Sequence, residues 1–348
     1  MIPEQALNAY GLHSRELTIT PIHKGLINRT WKVVHHEHAF ILQQVNDAVF
    51  KKPEDISFNI AAISSYLHNK KPDYFFVTPV KTVDGNELVY IKEQGYFRMF
   101  PFVAGSHTID TVETPEQAYE AARQFGKFTA SLSGFDHTTL KTTIPHFHDL
   151  SLRYQNFNHS LMTANSNRLQ ESAAVIGRLK GWYHIVEKFE QTRRSGACKL
   201  RVMHHDAKIS NVLFDEHNKG ICVIDLDTLM PGYFFSDPGD MMRTYLCPVN
   251  EEEADYGRID IRLPFYEAIT AGYLSEMKDE LTETEKTYFF YSGAFMIYMQ
   301  ALRFATDYLN NDVYYGSAYP GQNLVRAGNQ AVLLEKFLEK EESLKVVI

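Results

Sequence analysis

The chain has 348 residues, 44% of them hydrophobic, with a formal net charge of -8 and a pI near 6.0. That much apolar material can fill one large core or two lobes, and the acidic balance argues against a nucleic-acid surface, which needs a clustered basic face. Cys198, Cys222 and Cys247 are odd in number and lack zinc-type spacing, so reduced thiols and a cytoplasmic protein are expected. The N-terminal MIPEQALNAYGLHSREL has no apolar core of signal-peptide length. The most apolar stretch, near Tyr288 to Ala305, is broken by Ser292, Gln300 and Arg303, which makes it a buried helix and not a membrane span.

In chain order, residues 17–46 alternate β-type runs (LTITPI, RTWKVVH, AFILQQV) with turns. Pro53 then opens a helix carrying Ile56, Ile60, Ile63 and Leu67 at helical spacing. Residues 75–80, 87–91 and 96–102 read as strands, with Asp84-Gly85 marking a turn. Thr114 to Gln117 is a capping box with Pro at the first helical position, followed by an apolar stripe through Ala118, Ala122, Phe125 and Leu132.

Residues 135–170 are rich in His, Asn, Thr and Ser. The run HFHD at 146–149 has neither the helical His pair nor the strand context of a zinc enzyme, so these side chains are expected to be solvated or to face substrate. Residues 179–189 read as a helix, as do 262–273, 283–309 and 323–338.

The stretch with the most specific chemistry is RVMHHDAKISNVLFDEHNKGICVIDLD at 201–227. Its pattern is H-x-D-x-x-x-x-N, two short apolar runs about a turn, then Asp-x-Asp: His204, Asp206, Asn211, Asp225 and Asp227. Phosphoryl transfer needs a carboxylate beside the attacking hydroxyl and oxygen ligands for Mg²⁺ on the phosphates. Asp206 suits the first task. Asn211 and Asp225 suit the second, because Mg²⁺ is a hard ion that takes a few carboxylate or amide oxygens and fills its shell with phosphate and water. A hairpin over 212–224 would bring Asn211 back beside Asp225, which is the order of a kinase catalytic loop followed by its metal-binding Asp.

With these residues in order, the chain resembles the aminoglycoside phosphotransferase and choline kinase superfamily. GLINRTW at 25–31, FILQQVN at 40–46, RMFPF at 98–102, VIDLDTLMPG at 223–232 and RFATDYL at 303–309 are similar to bacterial N-acetylhexosamine 1-kinases. The resemblance runs over about residues 20–335. It implies an α+β, bilobal, protein-kinase-like fold, with a nucleotide-binding lobe over 1–100 and a mainly helical catalytic and substrate-binding lobe over 101–348. The reaction it implies is transfer of the γ-phosphoryl group of ATP to the anomeric hydroxyl of an N-acetylhexosamine. Choline, homoserine or an aminoglycoside are alternative acceptors, and a nucleotide-binding protein without turnover is a further one.

The site residues follow from the same resemblance. Gly25, Asn28 and Gln43, with the main chain at Pro101, Phe102 and Val103, would hold the nucleotide. Asp206 would orient the hydroxyl and accept its proton late, Asn211 and Asp225 would hold Mg²⁺, and Asp227 would take a second ion. Arg303, Asp307 and Tyr308 would bind sugar hydroxyls and the acetamide, with Tyr314 or Tyr315 stacked on the ring; an Arg303 to Asp307 pair along the helix is the plainer alternative.

Two departures matter. Gln43 and Gln44 stand where a protein kinase carries its strand Lys, and Phe58 and Asn59 stand where the helix would supply its Glu. Phosphate charge would then come from Lys208, with Lys24 a weaker candidate. Asp237 and Asp240 invite a catalytic role, but loop acids often cap the following helix, here one beginning near Met241; for Asp240 the capping or framework role is favoured, with Arg243 as its partner. ATP and a small sugar-like molecule are the expected partners, and a monomer or weak homodimer the expected state.

Overall fold

A computed structural model describes residues 2–13, 17–23 and 27–345. The chain divides into two compact units: residues 1–107, 134–145 and 213–231 form the first, and residues 108–133, 146–212 and 232–348 the second. The first unit therefore draws on more of the chain than its first hundred residues.

The first unit is built on an antiparallel sheet of β1 (Leu17–Ile22), β2 (Arg29–His35), β3 (His38–Val45), β4 (Val89–Ile91) and β5 (Gly95–Pro101) in the order β1-β2-β3-β5-β4. Pro21 is tolerated because β1 is an edge strand, where a missing N–H costs no ladder bond. Val33, Leu42, Phe97 and Met99 project into a core closed by Ala6, Leu7 and Leu12, which lie on and just beyond the short helix Glu4–Asn8. Residues 75–80 do not form the expected strand. Their only sheet contact is a bridge from Val80 to Met99. β4 covers only residues 95–97 of that edge of β5, and Val80 bonds to Met99 just beyond it, but Pro79 has no N–H with which to extend the ladder. The helix α1 (Pro53–Lys70) starts at Pro53 as expected and buries Ile56, Ile60, Ile63 and Leu67.

The second unit is helical. α2 (Pro115–Ser131) starts from the Thr114 and Gln117 capping box, both halves of which are formed. α3 (Leu150–Thr163) follows, capped by Asp149. The helix expected over 179–189 is two helices, Ala173–Gly181 and His184–Ser195, separated at Trp182 and Tyr183. The remaining long helices are α4 (Ser236–Tyr245), α5 (Leu263–Met277), α6 (Phe289–Leu309) and α7 (Gln322–Glu339).

α6 is buried along almost its whole length and is the axis of the unit. Glycine sets how closely its neighbours approach. A Cβ on Gly272 of α5 would lie 2.3 Å from the Tyr119 carbonyl oxygen of α2, and one on Gly239 of α4 would lie 2.3 Å from the Ser292 carbonyl oxygen of α6. Because both obstructing atoms are main chain, no side-chain rotation relieves the clash. Gly239→Ala is therefore expected to destabilise the protein by about 1–3 kcal/mol, the usual cost of overpacking. Thermal unfolding of the variant checks this, and an unchanged midpoint would contradict the close packing.

All three cysteines are free and buried, and burial pushes the Cys198 and Cys222 thiols up to about 12, leaving them unreactive. Among the described residues no helix is long and apolar enough to cross a membrane.

Candidate active site

The catalytic loop leaves the strand Leu200–Met203 of the second unit. His204 is fully buried, with the rings of Phe125 and Phe128 edge-on to its imidazole at 5.1 and 6.4 Å. His205 adopts the left-handed conformation at φ 65°, which is costly for a residue with a side chain and persists only where neighbours enforce it. Asp237 is one enforcer: its two carboxylate oxygens accept the main-chain N–H groups of His204 at 3.0 Å and His205 at 2.7 Å. Gly232 is another, since a Cβ there would lie 2.3 Å from Nε2 of His205. Tyr245 donates to the Ala207 carbonyl at 2.8 Å and fixes the next residue. Burial pushes Asp237 up to about 7 despite the N–H donors of His204 and His205, which favour the carboxylate.

Asp206 is thus presented by an over-determined turn. Its Oδ1 is 2.9 Å from the Lys208 ammonium, and its Oδ2 accepts the Asn211 amide N–H at 3.0 Å. Burial alone would raise its pKa; the Lys208 charge, His204 and the Asn211 hydrogen bond outweigh it and hold the carboxyl below the ordinary range. The same pairing raises Lys208 against its own burial, helped by Asp240. Asp206 is an ionised acceptor at neutral pH, able to receive a hydroxyl proton.

Asn211 also donates to the main-chain carbonyl of Asp206 at 2.9 Å. A carbonyl only accepts, so the amide orientation is forced, and Oδ1 is the atom left for a cation. A neutral hard oxygen in this place fits Mg²⁺.

In the first unit, the strand Gly220–Val223 leads to Asp225, whose side chain is exposed. Asp225 is itself left-handed, at φ 61° and ψ 62°, and precedes a single 3-10 turn, Leu226–Thr228. Its carboxylate oxygens are hard donors of the kind Mg²⁺ takes. Asp227 differs from expectation. It is buried, with Oδ1 2.5 Å from the Arg98 guanidinium and Oδ2 accepting from Asn28 at 2.7 Å, so its oxygens are engaged by protein and not presented to an ion. The two residues expected at the nucleotide are occupied likewise: Asn28 with Asp227, and Gln43 as acceptor of two Arg98 hydrogen bonds, 3.0 and 2.8 Å.

Gly25 and Lys24 lie outside the described residues. At the end of β5, Phe102 spends its N–H on the Ala39 carbonyl at 2.9 Å, and Pro101 has none. Among the described residues the Val103 N–H has no acceptor, which leaves it as the donor this segment can offer an adenine edge.

The residues expected at the acceptor separate in the second unit. Arg303 and Asp307 are not paired. The Asp307 carboxylate accepts the N–H groups of Tyr314 at 2.7 Å and Tyr315 at 2.9 Å and the Asn323 amide at 3.1 Å, so it braces a loop. Tyr308 is buried, its hydroxyl donating to Glu171 and its ring lying under Arg168 at 4.5 Å. Arg303 instead sits among rings, with Phe147, Tyr314 and Tyr315 at 5.7, 5.8 and 5.4 Å, and it donates to Gln300 at 3.1 Å. Tyr314 stands out at 69% exposure.

A line of charge links this aromatic cluster to the catalytic loop within the same unit. Arg243 joins Asp240 at 3.0 Å and Glu251 at 2.9 Å, Arg326 joins Glu251, and the Arg326 guanidinium lies 5.2 Å from the Tyr315 ring. Asp240 does pair with Arg243, but from inside α4 and not as its cap. Burial first, then the charges of His205, Arg303, Arg153 and Arg243, hold His148 well below its ordinary value.

Three roles were not read from the sequence: Asp237 as acceptor of the His204 and His205 N–H groups, Arg98 as partner of Gln43 and Asp227, and Asp307 as the brace of residues 314 and 315. Arg98 alone left a signal, a single charge inside the aromatic strand GYFRMFPF, where burial demands a partner.

Among solved structures, the chain is similar to an aminoglycoside phosphotransferase from Alicyclobacillus acidocaldarius, at 14% identity, with 99% of this chain and 96% of that one covered and a TM-score of 0.65. A microcompartment-associated aminopropanol kinase matches at 17% identity, 98% and 97% coverage and a TM-score of 0.61. A choline kinase from Cryptosporidium parvum matches at 13% identity, 95% and 92% coverage and a TM-score of 0.55. The likeness shows that the fold is protein-kinase-like. Residues 18–281 match the phosphotransferase enzyme family, and over that span, more than half its length, the chain belongs to it.

Proposed function

We propose that this phosphotransferase moves the γ-phosphoryl group of ATP to the anomeric hydroxyl of an N-acetylhexosamine, GlcNAc or GalNAc, giving the sugar 1-phosphate. The observation that carries the reading is Asp206, a carboxylate kept ionised by Lys208 at 2.9 Å and oriented by Asn211 at 3.0 Å. Asp206 accepts the hydrogen bond of the attacking hydroxyl and takes the proton late, as the oxygen becomes bonded to phosphorus. Lys208, half-exposed, faces the charge on the phosphoryl group in flight as well as Asp206. Asn211 Oδ1 and the Asp225 carboxylate are assigned to Mg²⁺, which supplies neutralisation of the phosphate oxygens.

The acceptor assignment rests on the resemblance of the sugar-kinase segments and on the surroundings of Arg303. Its guanidinium has no carboxylate partner among the described residues, and it lies beside an exposed Tyr314 ring. Donors for hydroxyl or acetamide oxygens beside a ring that can stack on a sugar face suit a neutral amino sugar. The Arg303 guanidinium beside these rings would repel the cation of choline or an aminoglycoside, which disfavours both.

The test is ATP consumption over a panel of N-acetylhexosamines, plain sugars, choline and amino acids, with phosphorus NMR of the product. The highest kcat/KM is expected for an N-acetylhexosamine, with phosphate on its anomeric oxygen. A cationic acceptor in first place, or phosphate on another hydroxyl, would overturn the assignment. Nucleotide binding without turnover across the panel would mark a protein that does not catalyse the transfer.

A further inference from the structure

A kinase small lobe ordinarily braces its phosphate-facing strand Lys with a helix Glu, and this chain has Gln43 and Asn59 at those places. The structure puts both to another use within the first unit. Arg98 on β5 lies opposite Gln43 on β3, is 2% exposed, and directs Nε and Nη2 at Gln43 Oε1 (3.0 and 2.8 Å) and Nη2 at Asp227 Oδ1 (2.5 Å). Asn28 completes the grip on Asp227 at 2.7 Å and is itself fixed by the Asn46 N–H at 3.0 Å. Two residues further on, the buried Asn59 of α1 donates to the Leu229 carbonyl at 2.8 Å, while its amide also closes on both main-chain groups of Lys141, at 2.8 Å each. Side chains from three separate segments thus converge on residues 227–229.

We propose that Arg98 is a positioning residue that fixes Asp225 for the metal. This rests on the assignment of Asp225 as a Mg²⁺ ligand under the proposed function. Asp225 is left-handed, a conformation Asp adopts more readily than most residues but one that its flanks must still hold for the carboxylate to keep one direction. Arg98 supplies that constraint through Asp227, two residues along. Its charge is matched by the Asp227 carboxylate, so it does not act as a surrogate phosphate clamp. The Arg98 and Gln43 part of this network is carried by two hydrogen-bonded neighbours in the sheet, β5 and β3.

The test uses the full-length protein and Mg²⁺-dependent binding of ATP, followed by calorimetry at a series of Mg²⁺ concentrations. The paired variant Arg98→Met with Asp227→Asn removes both charges, so no lone ion is left buried; Arg98→Lys keeps the charge but loses the fork. The paired variant is expected to need about tenfold more Mg²⁺ for half-maximal ATP binding, the scale seen when the outer partner of a metal ligand is removed, and Arg98→Lys a smaller excess. Asp225→Asn is run beside them and is expected to raise the requirement at least as far. If it does so while both Arg98 variants bind with wild-type Mg²⁺ dependence, the positioning role is overturned and Arg98 is only structural, whatever the change in unfolding midpoint. If Asp225→Asn itself leaves the Mg²⁺ dependence unmoved, the metal assignment fails and the proposal falls with it.

Discussion

Asp206→Asn is expected to lower kcat by about 10²–10⁴-fold, the range for loss of a general base, with ATP affinity close to wild type. The amide has the size of the carboxylate and can still accept one hydrogen bond, from Lys208 or from Asn211, but it cannot take a proton. It also turns an NH₂ group toward one of two donors that now find a carboxylate oxygen. The interaction lost is one that strengthens as the hydroxyl is deprotonated, so kcat falls with kcat/KM and nucleotide binding is spared. Steady-state kinetics with the preferred acceptor, together with an ATP titration, measure both. Turnover within about tenfold of wild type, below the lower bound for such a base, would remove Asp206 from the role.

Lys208→Ala is expected to cost about 10²-fold in kcat, the scale for removing one electrostatic stabiliser, and to move the acid limb of the pH profile upward. The sign follows from the forces on Asp206. Burial raises its pKa, and the Lys208 ammonium is the largest influence lowering it. In the wild type the base stays ionised until the pH falls below the ordinary carboxylate range. Without Lys208, burial is opposed only by the weaker influences of His204 and Asn211, so the base protonates at higher pH and activity is lost sooner on acidification. Stability moves in step: the lowered carboxyl contributes stability above its unfolded pKa that is lost as pH falls through the folded one, and the variant should show less of this acid-dependent loss. A profile with an unmoved acid limb, or turnover within about threefold of wild type against the expected 10², would remove Lys208 from both tasks.

How far these features were legible in the sequence depended on the distance over which each is decided. The start of α1 at Pro53 and the capping box at Thr114 use partners a few residues away, and both stand as expected. The order of Asp206, Asn211 and Asp225 was visible because the residue types and their spacing report the chemistry directly. The grip on Asp227 was not, because Asn28 reaches it across 199 positions of sequence, and nothing local distinguishes a carboxylate that will bind an ion from one that will meet an arginine. Asp237 shows the same difficulty: a loop acid ahead of a helix looks like a cap, yet its oxygens serve main-chain donors more than thirty positions upstream. Residues 75–80 carried a strand composition, but Pro79 lacks the N–H a ladder needs and, among these six, Val80 is the one bridged to β5.

The bracing carboxylate of Asp307 has a consequence for how such an enzyme can change its diet. It secures the main chain at 314 and 315, while Asn323 ties back to Asp312 and to the Gly316 carbonyl, each at 2.9 Å. The side chains of Val313 and Tyr314, at 80% and 69% exposure, project beyond that knot. Exchanges at this tip leave the buried helix α6 untouched and carry the small energetic penalty of a surface site, within about 0.5 kcal/mol. Under the proposed acceptor site, preference would therefore drift under selection, or be rewritten by a designer, at Val313 and Tyr314 with little disturbance of the scaffold.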